Sequence, residues 1–224
     1  MYSILLSKIN ALELIKTKER YERIINENSK VAILPWSFPQ ELDAEKLENE
    51  FFKKDGERYN KYVKPLNSFG VKESNITICN CYSQDYYELA DIIDNSDVIV
   101  LTGGNPEMLM SKILHKTELF YKIKHYKGII IGESAGCLLQ LERYFITAEN
   151  NFYEYTAFYD GIGVIDDNYL LDVHTQDTEE YIKELNDIAK KSKKKIYAIA
   201  NDGAILYKRE NKNIDLFGNV KLIG

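Results

Sequence analysis

Short apolar runs recur along the chain, and longer stretches with a three-to-four-residue apolar spacing lie between them. The runs Ser3 to Leu6, Val31 to Leu34, Ile76 to Cys79, Val98 to Leu101, Gly128 to Ile131, Tyr169 to Val173 and Ile196 to Ala200 read as strands. They are continuously apolar rather than alternating, as strands covered on both faces should be. Helical patterns fill the gaps: "ALELIKTKERYERII", "ELDAEKLENEFFKK", "DYYELADIID", "NPEMLMSKILHKTELFYKIKHY" and "DTEEYIKELNDIAKK". Pro106 suits a first helical turn, where its missing N–H costs nothing. Asp177 followed by Glu180 predicts a capping box. The tail "GAILYKRENKNIDLFGNVKLIG" reads as antiparallel strands with turns at Glu210 to Lys212 and at Gly218-Asn219.

Strand-helix alternation of this kind predicts an α/β fold, an open and mainly parallel sheet with helices on both faces and a C-terminal antiparallel hairpin. Ala148 to Asp167, rich in Asn, Tyr and Asp, is expected to be a loop or small hairpin near the site. With 224 residues, no internal repeat and no linker, the chain is expected to form a single domain over 1–224. A formal net charge of -6 gives no global attraction for nucleic acid or anionic lipid, so neither is an expected partner. The basic run "KKSKKK", Lys190 to Lys195, reads as a solvated helix end. No stretch approaches a membrane span and none resembles a signal peptide, so a cytoplasmic location is expected. Cys79, Cys81 and Cys137 make an odd count without a second ligand pair, which fits buried thiols in a reducing compartment, with no metal.

Ligands bind outside the carboxyl ends of strands in open α/β sheets. Four strand ends carry chemistry here: Thr102-Gly103-Gly104-Asn105, the turn Gly132-Glu133-Ser134-Ala135-Gly136, His174, and Asn201-Asp202-Gly203. A nucleophile, a base, an acid and glycine N–H donors are the parts of a serine hydrolase. His115 and His125 fall within a helical pattern, which leaves His174 as the well-placed base. Each part also has a plainer reading: a tight strand-to-helix connection at Ser134, a plain turn at Gly103-Gly104, a satisfied histidine at 174, a turn cap at Asp202. The order Ser, His, Asp departs from α/β-hydrolases, which place an acid before the histidine; Asp160, Asp166 or Asp167 would have to serve there. Trp36 and Ser37 either line the cleft or close the core.

The segments "VLTGGNPEMLMSKI", "GIIIGESAGCLLQ", "LLDVHT" and "IYAIANDGAILYK" resemble, in that order, the dipeptidase E and cyanophycinase family of serine peptidases. The resemblance runs from "SILLSK" to the final hairpin, and the length is similar to the compact dipeptidase E branch. It implies a fold like class I glutamine amidotransferases, with serine as nucleophile and no cofactor. Carried over, the nucleophile falls on Ser134, the histidine on His174, and the acid, a glutamate in the family, on Asp202. The oxyanion hole falls on Ala135 with Gly103 or Gly104. Glu149 is the alternative acid. The resemblance further implies a small peptide substrate. A preference for N-terminal aspartate would need a cation, for which Arg143, expected on the helix after the nucleophile, is the candidate. Two readings follow, a cytoplasmic serine peptidase or a non-catalytic binding protein on the same fold. An exposed edge strand would allow a homodimer.

Overall fold

The computed structural model describes residues 1–17, 24–38, 45, 48–148, 153–165 and 168–224. Its strands are β1 Tyr2–Leu6, β2 Val31–Leu34, β3 Ile76–Ile78, β4 Val98–Leu101, β5 Ile129–Glu133, β6 Arg143–Ile146, β7 Ala157–Asp160, β8 Tyr169–Val173, β9 Lys195–Lys208 and β10 Asn213–Ile223. Eight of them form one sheet in the order β10-β9-β1-β5-β4-β2-β3, with β8 also on β9, and β6 and β7 make a separate hairpin. The pairs β1–β5, β5–β4, β4–β2, β2–β3 and β8–β9 are parallel. Only β1–β9 and β9–β10 are antiparallel within that sheet.

The apolar runs bury both faces, because successive strand side chains point to opposite sides. Leu5, Ala32, Leu34, Ile99, Leu101 and Ile130 join the core beneath helices Tyr86–Asp94, Pro106–Leu114 and Thr117–Lys124. Ile4, Ile33, Val98, Val100 and Ile131 join the opposite core, beneath the 3₁₀ segment Ile9–Thr17 and helix Glu57–Ser68. Helix Glu179–Ser192 covers β8, β9 and β10 through Tyr181, Leu185, Ile188 and Ala189. Among the described residues no helix is long and apolar enough to cross a membrane.

β9 is the element that builds the site. Its first half, Lys195 to Ile199, runs parallel to β8; its second half, Ala204 to Lys208, runs antiparallel to β1. β8 and β1 therefore meet end to end along one side of β9. On the other side, Ile199 faces Val220 while Gly203 faces Gly218, so β9 spends extra residues across this seam. That is a bulge, a device that re-aims side chains.

Several expectations are corrected. β9 does not end at Ala200, and β10 passes through Gly218-Asn219 without a hairpin turn, because Gly218 stays paired with Gly203 and the register shift places the extra residues on β9. Helix Glu57–Ser68 was not anticipated. The pattern from Asn105 to Tyr126 is two helices, broken where Lys116 leaves the helical region (φ -122°, ψ 80°). Thr178, not Asp177, caps the helix at Glu179, accepting from the Tyr181 N–H; a capping box does form, at Asp85 and Glu88. Arg143 lies on β6 rather than on a helix, with its guanidinium 5.2 Å from the Phe158 ring centre. Much of "ELDAEKLENEFFKK", and Glu149, Asp166 and Asp167, lie outside the described residues.

Candidate active site

β5 ends in a sharp turn. Ser134 adopts φ 48° and ψ -107°, and the helical turn Ala135–Leu138 starts at once. A side-chain-bearing residue rarely occupies this region, and such outliers cluster at functional sites. The turn is held by the Ser134 N–H on the Leu6 carbonyl (2.8 Å) and by the Cys137 and Leu138 N–H groups on the Ser134 carbonyl (3.0 Å each). Position 136 must be glycine: a Cβ there would stand 2.2 Å from the Leu101 carbonyl oxygen at the end of β4. The helical turn packs onto the sheet, and the serine hydroxyl is left facing the cleft.

His174 follows β8 with φ 60°. Its N–H donates to Ser7 Oγ (3.0 Å), which donates in turn to the Ile199 carbonyl (2.6 Å). One hydroxyl thus ties the ends of β1 and β8 to β9 at the seam. The imidazole Nε2 lies 2.8 Å from Ser134 Oγ. Its Nδ1 lies 2.7 Å from Asn201 Oδ1. Asp202, the expected third member, is exposed and makes no hydrogen bond to His174. The reason is phase: neighbours on a strand face opposite ways, and the bulged seam turns residue 201 rather than 202 toward the histidine. With Oδ1 accepting, Nδ1 carries the proton and the Nε2 lone pair faces the serine hydroxyl.

The glycine loop after β4 is clamped by Ser37. Its Oγ donates to the Gly103 carbonyl (2.6 Å) and lies 2.8 Å from Thr102 Oγ1, and its own carbonyl accepts from the Asn105 N–H (2.6 Å). Gly104 sits at φ 142°, where a Cβ would come within 2.5 Å of the Ser37 carbonyl oxygen. Among the described residues the Gly104 and Ala135 N–H groups have no acceptor, and both residues line the cleft with Ser134. The Gly103 N–H is not free for an oxyanion. It donates toward Glu133 Oε2 (3.2 Å) and Tyr62 Oη (3.1 Å), which corrects its place among the expected donors.

The model of peptidase family S51 matches residues 54–215, well over half of the chain. The chain belongs to peptidase family S51. It is therefore a serine-type peptidase, and the non-catalytic alternative gives way to an enzyme. No curated protein matches the sequence. Among solved structures, the S51 chain is similar to a Listeria monocytogenes EGD-e protein provisionally named peptidase E, at 18% identity and TM-score 0.64, over 96% of each chain. It is also similar to a peptidase from an acI-B1 actinobacterium, at 15% identity and TM-score 0.60, over 99% of this chain and 88% of that one. At these identities the likeness shows the shared fold.

Around the serine the S51 chain forms a cleft of about 500 Å³, lined by Phe38, Arg58, Pro106, Ile146 and Tyr153 beside Ser134 and His174. Arg58, not Arg143, lines this cleft. Its guanidinium lies 4.0 Å from the Phe38 ring centre and pairs with Glu50. Trp36 is core, fully buried with its indole N–H on the Cys79 carbonyl (2.9 Å). Cys79 is buried as a free thiol, and burial pushes it up to about 12. Two buried carboxylates stand close to the site. Asp172 accepts from Tyr181 Oη (2.7 Å) and Thr175 Oγ1, and burial pushes its carboxyl up to about 6. Glu133, 2% exposed, accepts from the Ile9 N–H (3.1 Å), the Lys61 ammonium (2.9 and 3.0 Å) and Tyr62 Oη. Burial and the Glu133 charge hold the Tyr62 phenol well above its usual range, so it stays a donor. Sequence reading missed Ser7, Tyr62, Lys61 and Arg58, and it placed Asn201 in the turn but gave the acid's role to Asp202. The Tyr59, Tyr62, Val63, Leu66 spacing was the available sign of the helix that carries three of them.

Proposed function

We propose that this S51 chain is an exopeptidase of small peptides, working through Ser134, His174 and Asn201. The observation that carries the reading is the chain of contacts from Ser134 Oγ to His174 Nε2 (2.8 Å) and from Nδ1 to Asn201 Oδ1 (2.7 Å). Ser134 Oγ attacks the scissile carbonyl while His174 Nε2 takes its proton. The tetrahedral oxyanion accepts from the Gly104 and Ala135 N–H groups. The imidazolium then returns the proton to the leaving amine, and water repeats the sequence on the acyl-enzyme. Asn201 fixes the ring and its tautomer; as a neutral amide it leaves the imidazolium charge unbalanced.

The cleft supports a short substrate. Its volume of about 500 Å³ suits a compact ligand of a few residues. Arg58 supplies a fork for a carboxylate, whether the terminal one of a short peptide or an acidic side chain. The test is a screen of di- and tripeptides followed by Ser134→Ala on whatever is cleaved. A fall in kcat of roughly 10³-fold or more, with an unchanged circular dichroism spectrum, is expected. Near-wild-type turnover by that variant would remove Ser134 from the mechanism.

A further inference from the structure

A carboxylate buried one residue before a nucleophilic serine is a costly choice. Desolvating it is unfavourable, and its charge stands close to where an oxyanion develops. Position 133 pairs with Leu6 at the end of a core strand, and nothing in the sheet requires an acid there. The contacts of Glu133 show what the acid does instead. It reaches Ile9 in the segment after β1, Lys61 and Tyr62 on helix Glu57–Ser68, and Gly103 in the glycine loop. The half-exposed Lys61 ammonium supplies the counter-charge.

The Gly103 contact bears on the chemistry. The Gly103 N–H is held by Glu133 and Tyr62, while the Gly103 carbonyl is held by Ser37 Oγ. Both polar groups of that residue are thereby pinned. In a trans peptide the carbonyl and the following N–H point in opposite directions. Fixing the Gly103 carbonyl on Ser37 therefore aims the Gly104 N–H to the opposite side, and Gly104 lines the cleft beside Ser134. We propose that Glu133 is a positioning residue for the reaction: with Tyr62 it locks the glycine loop so that the Gly104 N–H stands ready for the oxyanion. This rests on the reading of Ser134 as the nucleophile and adds what prepares its oxyanion hole.

The experiment is the rate of phosphonylation of the full chain by a fluorophosphonate, resolved into kinact and KI. Glu133→Gln keeps the shape but offers one acceptor oxygen and brings two new N–H donors against Tyr62, Lys61 and Gly103. A fall in kinact of about tenfold to a hundredfold is expected, the range for a misplaced catalytic donor. KI should stay within about twofold, since the cleft wall does not change. Tyr62→Phe removes one tether only, so a smaller fall of about threefold to tenfold is expected, and it carries the test where Glu133→Gln does not fold. Labelling of both variants with wild-type kinact overturns the proposal alone. So does a fall in kinact accompanied by a raised KI, which would mark general distortion. A wild-type chain that Ser134→Ala shows to be labelled elsewhere, or not at all, overturns the nucleophile reading and this inference with it.

Discussion

The contact between His174 and Asn201 sets the character of the site. An amide oxygen on Nδ1 orients the ring as a carboxylate would, and it adds no charge to steady the imidazolium. Asn201→Asp should therefore raise kcat, by about two- to fivefold at low ionic strength, because the position is exposed and solvent screens the pair. The sign also appears in pH: an anion beside the ring favours its protonated form, so the acid limb of the kcat/KM profile should move to higher pH. Asn201→Ala should lower kcat about tenfold by freeing the tautomer. A profile unchanged in both variants would take Asn201 out of the mechanism. Ser134 and His174 are legible in the sequence, since a G-x-S-x-G after an apolar run and a histidine after another are local signals. Asn201 is not. Whether 201 or 202 faces the histidine depends on a bulge whose phase is set by pairing with β10 and by the change of partner from β8 to β1, which no local pattern around residue 201 carries.

At the scale of elements, the helix Glu179–Ser192 shows how a local signal can mislead by one residue. Asp177 and Thr178 are both good caps, and the structure uses Thr178, whose Oγ1 accepts from the Tyr181 N–H at 3.3 Å. Thr178→Ala should cost about 1 kcal/mol of stability, read as a lower urea midpoint with an unchanged slope. Asp177→Ala should cost less, since among the described residues Asp177 pairs only with Lys221, at the surface. The strands were legible because four or five consecutive apolar residues between polar breaks have few other uses. Helix Glu57–Ser68 was not, because Pro65 within it reads as a breaker. That omission hid Arg58, Lys61 and Tyr62 together.

For the molecule as a whole, pH should act through Asp172. Its carboxyl is raised to about 6 by burial, so the folded protein holds this proton more tightly than the unfolded chain does. The group stabilises the fold fully below about pH 4, and that contribution is lost as pH climbs through about 6, a change of about 2–3 kcal/mol. Asp172→Asn lacks this proton, so its melting temperature relative to wild type should rise between pH 4 and pH 7. A constant difference would show that Asp172 ionises without cost.

The seam on β9 also governs when the protein can become an enzyme. β1 is made before both of its neighbours, Ile129–Glu133 and Ala204–Lys208. At about 5–20 residues per second, Leu6 waits roughly 10–40 s for Ala204 to be translated. Until then the central strand has an open side, His174 has no Asn201, and the Ser7 tether to Ile199 cannot form. A nascent chain on the ribosome thus carries Ser134 before the strand that brings Asn201 to His174, and under the proposed mechanism peptide cleavage should begin only once that strand has closed.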